Sequence, residues 1–173
     1  NGNPLITKYF YNRLNNLTRI RDAKGNIRDF NYDFLGRRIK AEDIHDPNDA
    51  SFGIYEYRYD SAGNLTKKFN PSGDEIVYSY DSLNRILKED NKSLPGIEIS
   101  YSYDSCLRGL GKLCSVVSTS STSLFEYNFN DGVKKETKVV DNATSSVEYI
   151  YGRLNNILSE KNLNLPEIIY EYN

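Results

Sequence analysis

The chain has 173 residues, enough for one domain with a sizeable core, and its 22 basic and 24 acidic side chains are interspersed to a formal charge of −2. No basic stripe suits nucleic acid, no Lys/Arg cluster suits anionic lipid, and no apolar run approaches the roughly 18 residues that a bilayer span needs. Hydrophobic content is 38%, low for a globular domain, yet there are 15 tyrosines and neither Met nor Trp. The missing Met leads to the expectation of a piece of a longer protein. The lack of a signal peptide at Asn1-Gly2-Asn3-Pro4 therefore says little.

Self-similarity is the main signal. An aromatic-x-aromatic triplet followed by Asp, Asn or Gly recurs eight times. In chain order the copies begin at Tyr9, Phe30, Tyr57, Tyr78, Tyr101, Tyr127, Tyr149 and Tyr170, and they hold 14 of the 15 tyrosines. Taking the second aromatic as an anchor gives Tyr11, Tyr32, Tyr59, Tyr80, Tyr103, Phe129, Tyr151 and Tyr172, at steps of 21, 27, 21, 23, 26, 22 and 21 residues. The residue four before the anchor is Thr7, Arg28, Tyr55, Ile76, Ile99, Phe125, Val147 or Ile168. With the two aromatics it makes an i, i+2, i+4 row, while the alternate positions are mostly polar, so each triplet predicts a strand with one apolar face.

A turn is predicted after each anchor. Position +1 is Asp or Asn in seven of eight copies, and such side chains hydrogen-bond their own backbone in turns. Position +4 is Asn15, Gly36, Gly63, Asn84 and Asn155 in five copies, residues that tolerate positive φ. An apolar residue at +6 (Leu17, Leu65, Ile86, Ile157) begins the return strand, with Ile39 one later in the second copy. Looser polar connections close the units, at Ala23-Lys24-Gly25-Asn26, Asn70-Pro71-Ser72-Gly73, Lys92-Ser93-Leu94-Pro95-Gly96, Ser118 to Ser123 and Asp141-Asn142-Ala143-Thr144.

At Tyr59-Asp60-Ser61-Ala62-Gly63-Asn64-Leu65 with Gly73, and at Tyr32-Asp33-Phe34-Leu35-Gly36-Arg37-Arg38, the sequence resembles the YD-repeat (Rhs) family. The fifth copy, Tyr103-Asp104 through Gly111-Lys112-Leu113, is similar to that family's longer variant. Asn12, Asn130 and Gly152 depart from the family's Asp. The resemblance implies an all-β fold in which tandem hairpins form one long curled antiparallel sheet, a segment of a spiral shell or cocoon. Residues 1–173 are expected to be a single array, seven full hairpins and the start of an eighth. Its partners would be neighbouring repeats of the same longer polypeptide and an enclosed C-terminal toxin or other cargo, and its location secreted or cell-surface. Some 14 strands at ~4.8 Å would extend roughly 65 Å, and sheets beyond about 10 strands curl or split. Enclosing a cargo needs several times that length, so this chain would be a wall segment. Choline-binding repeats need Trp, and leucine-rich repeats need more Leu than Leu14-Asn15-Asn16-Leu17 and its echo at 154–157 supply.

Candidate chemistry is sparse. The lone His45 sits in a polar insertion, 41–49, and reads as a surface-loop histidine, without a nucleophile signature beside it. Glu42, Asp43, Asp46 and Asp49 lack calcium-loop spacing and read as a solvated acidic loop. Cys106 and Cys114 could face each other across a hairpin as a disulfide, which a secreted destination would favour, or remain free thiols. The tyrosine columns read as the sheet's packing layer rather than a sugar-stacking platform, because Ile and Val share their face. No enzyme, cofactor or metal site is therefore assigned. The expectation is a structural shell segment, with a surface adhesin contacting carbohydrate or another cell as the alternative.

Overall fold

The computed structural model describes residues 5–93, 96, 98–163 and 165–172. Asn1-Gly2-Asn3-Pro4, Leu94 and Pro95 of the connection from Lys92 to Gly96, and Asn173 after the last triplet lie outside the described residues. Every regular element is a strand. They are β1 (Lys8–Tyr11), β2 (Leu17–Arg21), β3 (Ile27–Tyr32), β4 (Arg38–Glu42), β5 (Ile54–Tyr59), β6 (Leu65–Phe69), β7 (Glu75–Tyr80) and β8 (Ile86–Asn91). There follow β9 (Ile99–Tyr103), β10 (Leu113–Ser118), β11 (Ser121–Tyr127), β12 (Val133–Val140), β13 (Ala143–Tyr151), β14 (Ile157–Asn162) and the short β15 (Ile168–Ile169).

The chain forms two compact units. The first runs to Tyr78 and includes a short stretch from Asn91; the second holds Ser79–Asp90 and the chain from Gly96 on. Within each, sheet order is chain order and the described ladders are antiparallel. The fold class is the expected one: all-β, built of tandem antiparallel hairpins.

The local reason is the turn after each anchor. In the first copy the Asn12 amide donates to the Asn16 carbonyl and the Asn15 amide to the Asn12 carbonyl, at 2.9 and 3.0 Å. The Asn12 side-chain oxygen accepts the Leu14 and Asn16 amides, both at 2.9 Å. The same bonds form around Asp33 and Asp81. Position +4 has positive φ in all five copies named from the sequence: 61° at Asn15, 78° at Gly36, 92° at Gly63, and 61° at both Asn84 and Asn155. That left-handed residue makes a bulge, and the register shifts just before Tyr11, Tyr32, Tyr59, Tyr127 and Tyr151. Each of these tyrosines then faces the first residue of its return strand.

Two connections expected to be loose are built just as tightly. Asp22 accepts the Lys24 and Asn26 amides while Gly25 takes φ 95°, and Asn70 with Gly73 at φ 90° repeats the main-chain bonds. Asp141 and Asn142 both have positive φ (46° and 66°), which fits a two-residue hairpin turn matched to the strand twist.

The sheet has little conventional core. Among described residues only Phe30, Ala41, Cys114 and Tyr127 are buried hydrophobics. In β5 the tyrosines 55, 57 and 59 are half-buried while Ile54, Glu56 and Arg58 are exposed, the expected period of two. Cations cover many rings: the Arg28 and Arg38 guanidinium carbons stand 5.3 and 5.9 Å from the Phe30 centroid, and Arg38 lies 5.1 Å from that of Tyr57. Arg38 holds the +6 place in the second copy and pairs with Tyr32, so Ile39 lies one residue past it. A cation above an aromatic face supplies there what an apolar side chain supplies elsewhere. Ion pairs knit strands together as well: Arg19–Asp29 at 2.5 Å and Lys135–Glu148 at 3.0 Å join residues that face each other in the ladder.

Candidate functional site

The feature that recurs through both units is a bond from anchor tyrosine to main chain. The Tyr32 hydroxyl donates to the Leu17 carbonyl at 2.8 Å, and Tyr59 to that of Arg38 at 2.8 Å. In the second unit Tyr127 donates to Leu113 at 2.6 Å, Tyr151 to Val133 at 2.8 Å and Tyr172 to Ile157 at 2.7 Å. Each acceptor is the first residue of the preceding hairpin's return strand. In the first of these, the β2–β3 ladder spans Arg19 to Arg21 and leaves Leu17 beyond its end. A carbonyl without a ladder partner needs another donor, and the tyrosine hydroxyl provides it. Burial pushes the Tyr59, Tyr127 and Tyr151 hydroxyls above their ordinary pKa, which keeps them protonated donors.

The sixth anchor differs from the sequence expectation. Tyr127, not Phe129, ends β11, pairs with Val133 across the bulge and makes the hydroxyl bond. Phe129 sits in the turn and is 85% exposed, whereas Tyr127 is 8% exposed. Asn128 is the true +1 residue, accepting the Asn130 and Gly132 amides, and Asp131 takes +4 with φ 69°. The Tyr127-Asn128-Phe129-Asn130 run fits either frame by composition. Only Tyr127 has the hydroxyl that the neighbouring carbonyl requires. The anchors then fall at 103, 127 and 151, an even 24 residues apart. Of the other anchors, Tyr11 is exposed, Tyr103 lies 4.4 Å beneath Arg85, and Tyr80 ends β7.

Charged side chains link successive turns. Arg37 bonds Asp33 at 2.7 Å within its own turn and the Asp60 carbonyl of the next hairpin at 3.0 Å. Arg85 bonds Asp81 at 2.7 Å and grips both carboxylate oxygens of Asp104, at 3.1 and 2.7 Å. Lys112 pairs with Asp131 in the same way. Turn hydrogen bonds hold the Asp60 and Asp81 carboxyls below the ordinary range despite an opposing contribution from desolvation, and Arg85 lowers Asp104.

The long fifth turn is closed by a Cys106–Cys114 disulfide, with Cα atoms 5.3 Å apart. Only Cys114 is in a strand; Cys106 lies in the turn, so the bridge closes the loop on its own hairpin rather than tying two strands. Gly109 packs onto both sulfurs, where any Cβ would collide.

His45 is not a surface-loop histidine. It is buried, its ring stacks on Phe52 at 3.7 Å and 8°, and its main chain pairs with Ile27. Nδ1 lies 2.9 Å from the Asp46 carbonyl and Nε2 3.3 Å from Glu42. Desolvation lowers its pKa, but these two contacts outweigh it and raise the ring above its ordinary value. The insertion folds back onto the first hairpins because its main chain extends the pairing. Its carboxylates are drawn into local bonds: Asp49 accepts from Ser51 and Asp46 from Asn48. Among the described residues no cluster of metal-ligating side chains occurs.

A depression of about 900 Å³ in the first unit is lined by Phe10, Arg19, Asp29, Phe30 and Tyr32 among others. Its central Arg19 and Asp29 are spent on each other.

The RHS Repeat family model matches residues 55–93. No curated protein matches the chain. Solved structures do. The crystal structure of TcdB2-TccC3 without its hypervariable C-terminal region is 15% identical over 92% of this chain, with a TM-score of 0.72. The TcdB2-TccC3 crystal structure is 16% identical over 91%, at 0.73. The Photorhabdus luminescens Tc holotoxin pore is 17% identical over 90%, at 0.71. This chain spans 9% of the length of each, and at such identity the likeness is one of fold. Residues 55–93 are thus an RHS repeat, the same Tyr-Asp or Tyr-Asn turn closes hairpins on either side of it, and the chain around it is similar in fold to these Tc toxin structures.

Proposed function

We propose that this chain is a non-catalytic wall segment of a secreted Rhs-type shell that encloses a C-terminal toxin or other cargo, residues 1–173 forming one array of repeats. The observation that carries the reading is the tyrosine bond that ties five of the hairpins to the one before each of them. It makes these five repeats bracing elements for their neighbours and commits their anchor hydroxyls to main-chain carbonyls. The likeness to Tc toxin structures supports it, as does the absorption of His45 into packing. An adhesin using the tyrosine columns as a sugar platform gains no such support, since these hydroxyls are bonded to main chain.

Limited proteolysis of the intact longer polypeptide is expected to spare the segment C-terminal to the repeats. In-frame deletion of residues 60–80, one complete repeat, is expected to expose it. Equal digestion of that segment with the wall intact and with it broken would sink the reading.

A further inference from the structure

The second unit carries a cleft of about 480 Å³ between the disulfide-closed turn, the tip of the β11–β12 hairpin and the end of β13. That volume is within the range of small-molecule sites. Its chemistry is one-sided. Arg108 and Lys134 line it and no acidic residue does. Neither cation is in a direct ion pair among the described residues; the Glu148 carboxylate, which feels Lys134 at longer range, is held by Lys135 at 3.0 Å.

The missing negative charge is a departure from the repeat. Four anchors are followed by Asp, at 33, 60, 81 and 104, whereas the two turns that wall this cleft have Asn128 and Gly152 at that place. Asn128 still closes its turn through its side-chain oxygen. The bond pattern of the array is kept without a carboxylate at this place, and the carboxylate this turn does carry, on Asp131, is paired with Lys112. At Gly152 the side chain is gone altogether, and a Cβ would stand 2.6 Å from the Asn156 side-chain oxygen.

The cation is also positioned. Arg108 takes a left-handed backbone (φ 57°) inside the bridged turn, and its guanidinium carbon lies 3.4 Å from the Phe129 ring centroid. The Tyr127 amide donates to the Leu107 carbonyl at 3.3 Å, which ties that turn to the next hairpin. One face of the exposed Phe129 ring is thereby covered by a fixed guanidinium. Tyr149 and Tyr151 also line the cleft, and Gly132 packs against the Tyr151 ring.

The geometry points to a binding site for a carboxylated six-membered ring, its carboxylate at Arg108 and Lys134 and its flat body against the side of the cleft lined by Tyr149 and Tyr151. Such a ring comes from two sources, an acidic sugar or an aromatic acid. The test is a backbone-amide NMR titration of the chain with glucuronate, benzoate, glucose and acetate. Glucuronate, benzoate or both are expected to shift the amides of 107–108, 128–130 and 149–152, at least tenfold more tightly than glucose or acetate. Whichever binds names the source. Arg108→Gln is expected to weaken binding tenfold or more. Asn128→Asp, which restores the repeat's own carboxylate without disturbing the turn, is expected to do the same with an unchanged thermal midpoint. Glucose binding as well as glucuronate, acetate as well as benzoate, shifts elsewhere or nowhere, or full affinity in Asn128→Asp would overturn the assignment.

Discussion

At the scale of single residues, a hydroxyl group fixes the frame of a repeat. Tyr127→Phe keeps the ring and removes the donor, leaving the Leu113 carbonyl unanswered in a half-dry sheet. Such a loss costs about 1 kcal/mol. Phe129→Ser changes an exposed turn residue and is expected to stay within about 0.5 kcal/mol. Urea denaturation of both variants separates the two frames; an equal or reversed cost would return the anchor to Phe129. The positive-φ positions are equally local, and the pattern revealed them because Asn and Gly are the residues that pay least for that conformation. His45 was not legible in this way. Nothing in residues 41–49 announces that the insertion doubles back to pair with Ile27, because that pairing lies 18 residues away in the chain.

At the scale of elements, each hairpin is a local object. Its turn, bulge and register are settled within about a dozen residues, which is why strand after strand could be placed from the triplets alone. The fifth hairpin has the longest turn and is the one that carries a covalent closure. On the chain-entropy model a loop of this size is worth about 2.5 kcal/mol when bridged. Cys106→Ser with Cys114→Ser is therefore expected to lower stability by up to that amount and to speed amide exchange at 104–112 most. Protection unchanged in that turn would show that the bridge does not order it. Gly109→Ala should force the same turn open, since its Cβ has no room beside the two sulfurs, at a cost on the order of 1–3 kcal/mol.

At the scale of the whole molecule, few side chains are buried, and hydrogen bonds, cation–ring contacts and turn carboxylates carry much of the cohesion. Stability should accordingly depend on pH at both ends of the neutral range. The Asp33, Asp60, Asp81 and Asp104 carboxyls have folded pKa values below the ordinary 3.8. Their contribution is complete above that value and is lost as pH falls through the lower folded values. His45 has the opposite sign: its folded pKa lies above 6.5, so its contribution is complete below 6.5 and is lost as pH rises through the folded value. Thermal midpoints followed from pH 3 to pH 9 should show both flanks. His45→Gln should flatten the upper flank and leave the lower one; an unchanged upper flank would remove His45 from the account.

The sequence by itself determined what repeats at short range: strands with alternating faces, turns closed by Asp or Asn, left-handed Asn and Gly residues, and the resemblance those residues carry. Each of these depends on contacts within one hairpin, so composition and spacing express it. The tertiary structure decided what depends on which hairpin lies beside which. It moved the sixth anchor to Tyr127, spent the tyrosine hydroxyls on a neighbour's carbonyls, buried His45 against Phe52, and set Arg108 over Phe129. Those contacts join residues about 7 to 21 positions apart, where no short-range pattern specifies the distance between two side chains.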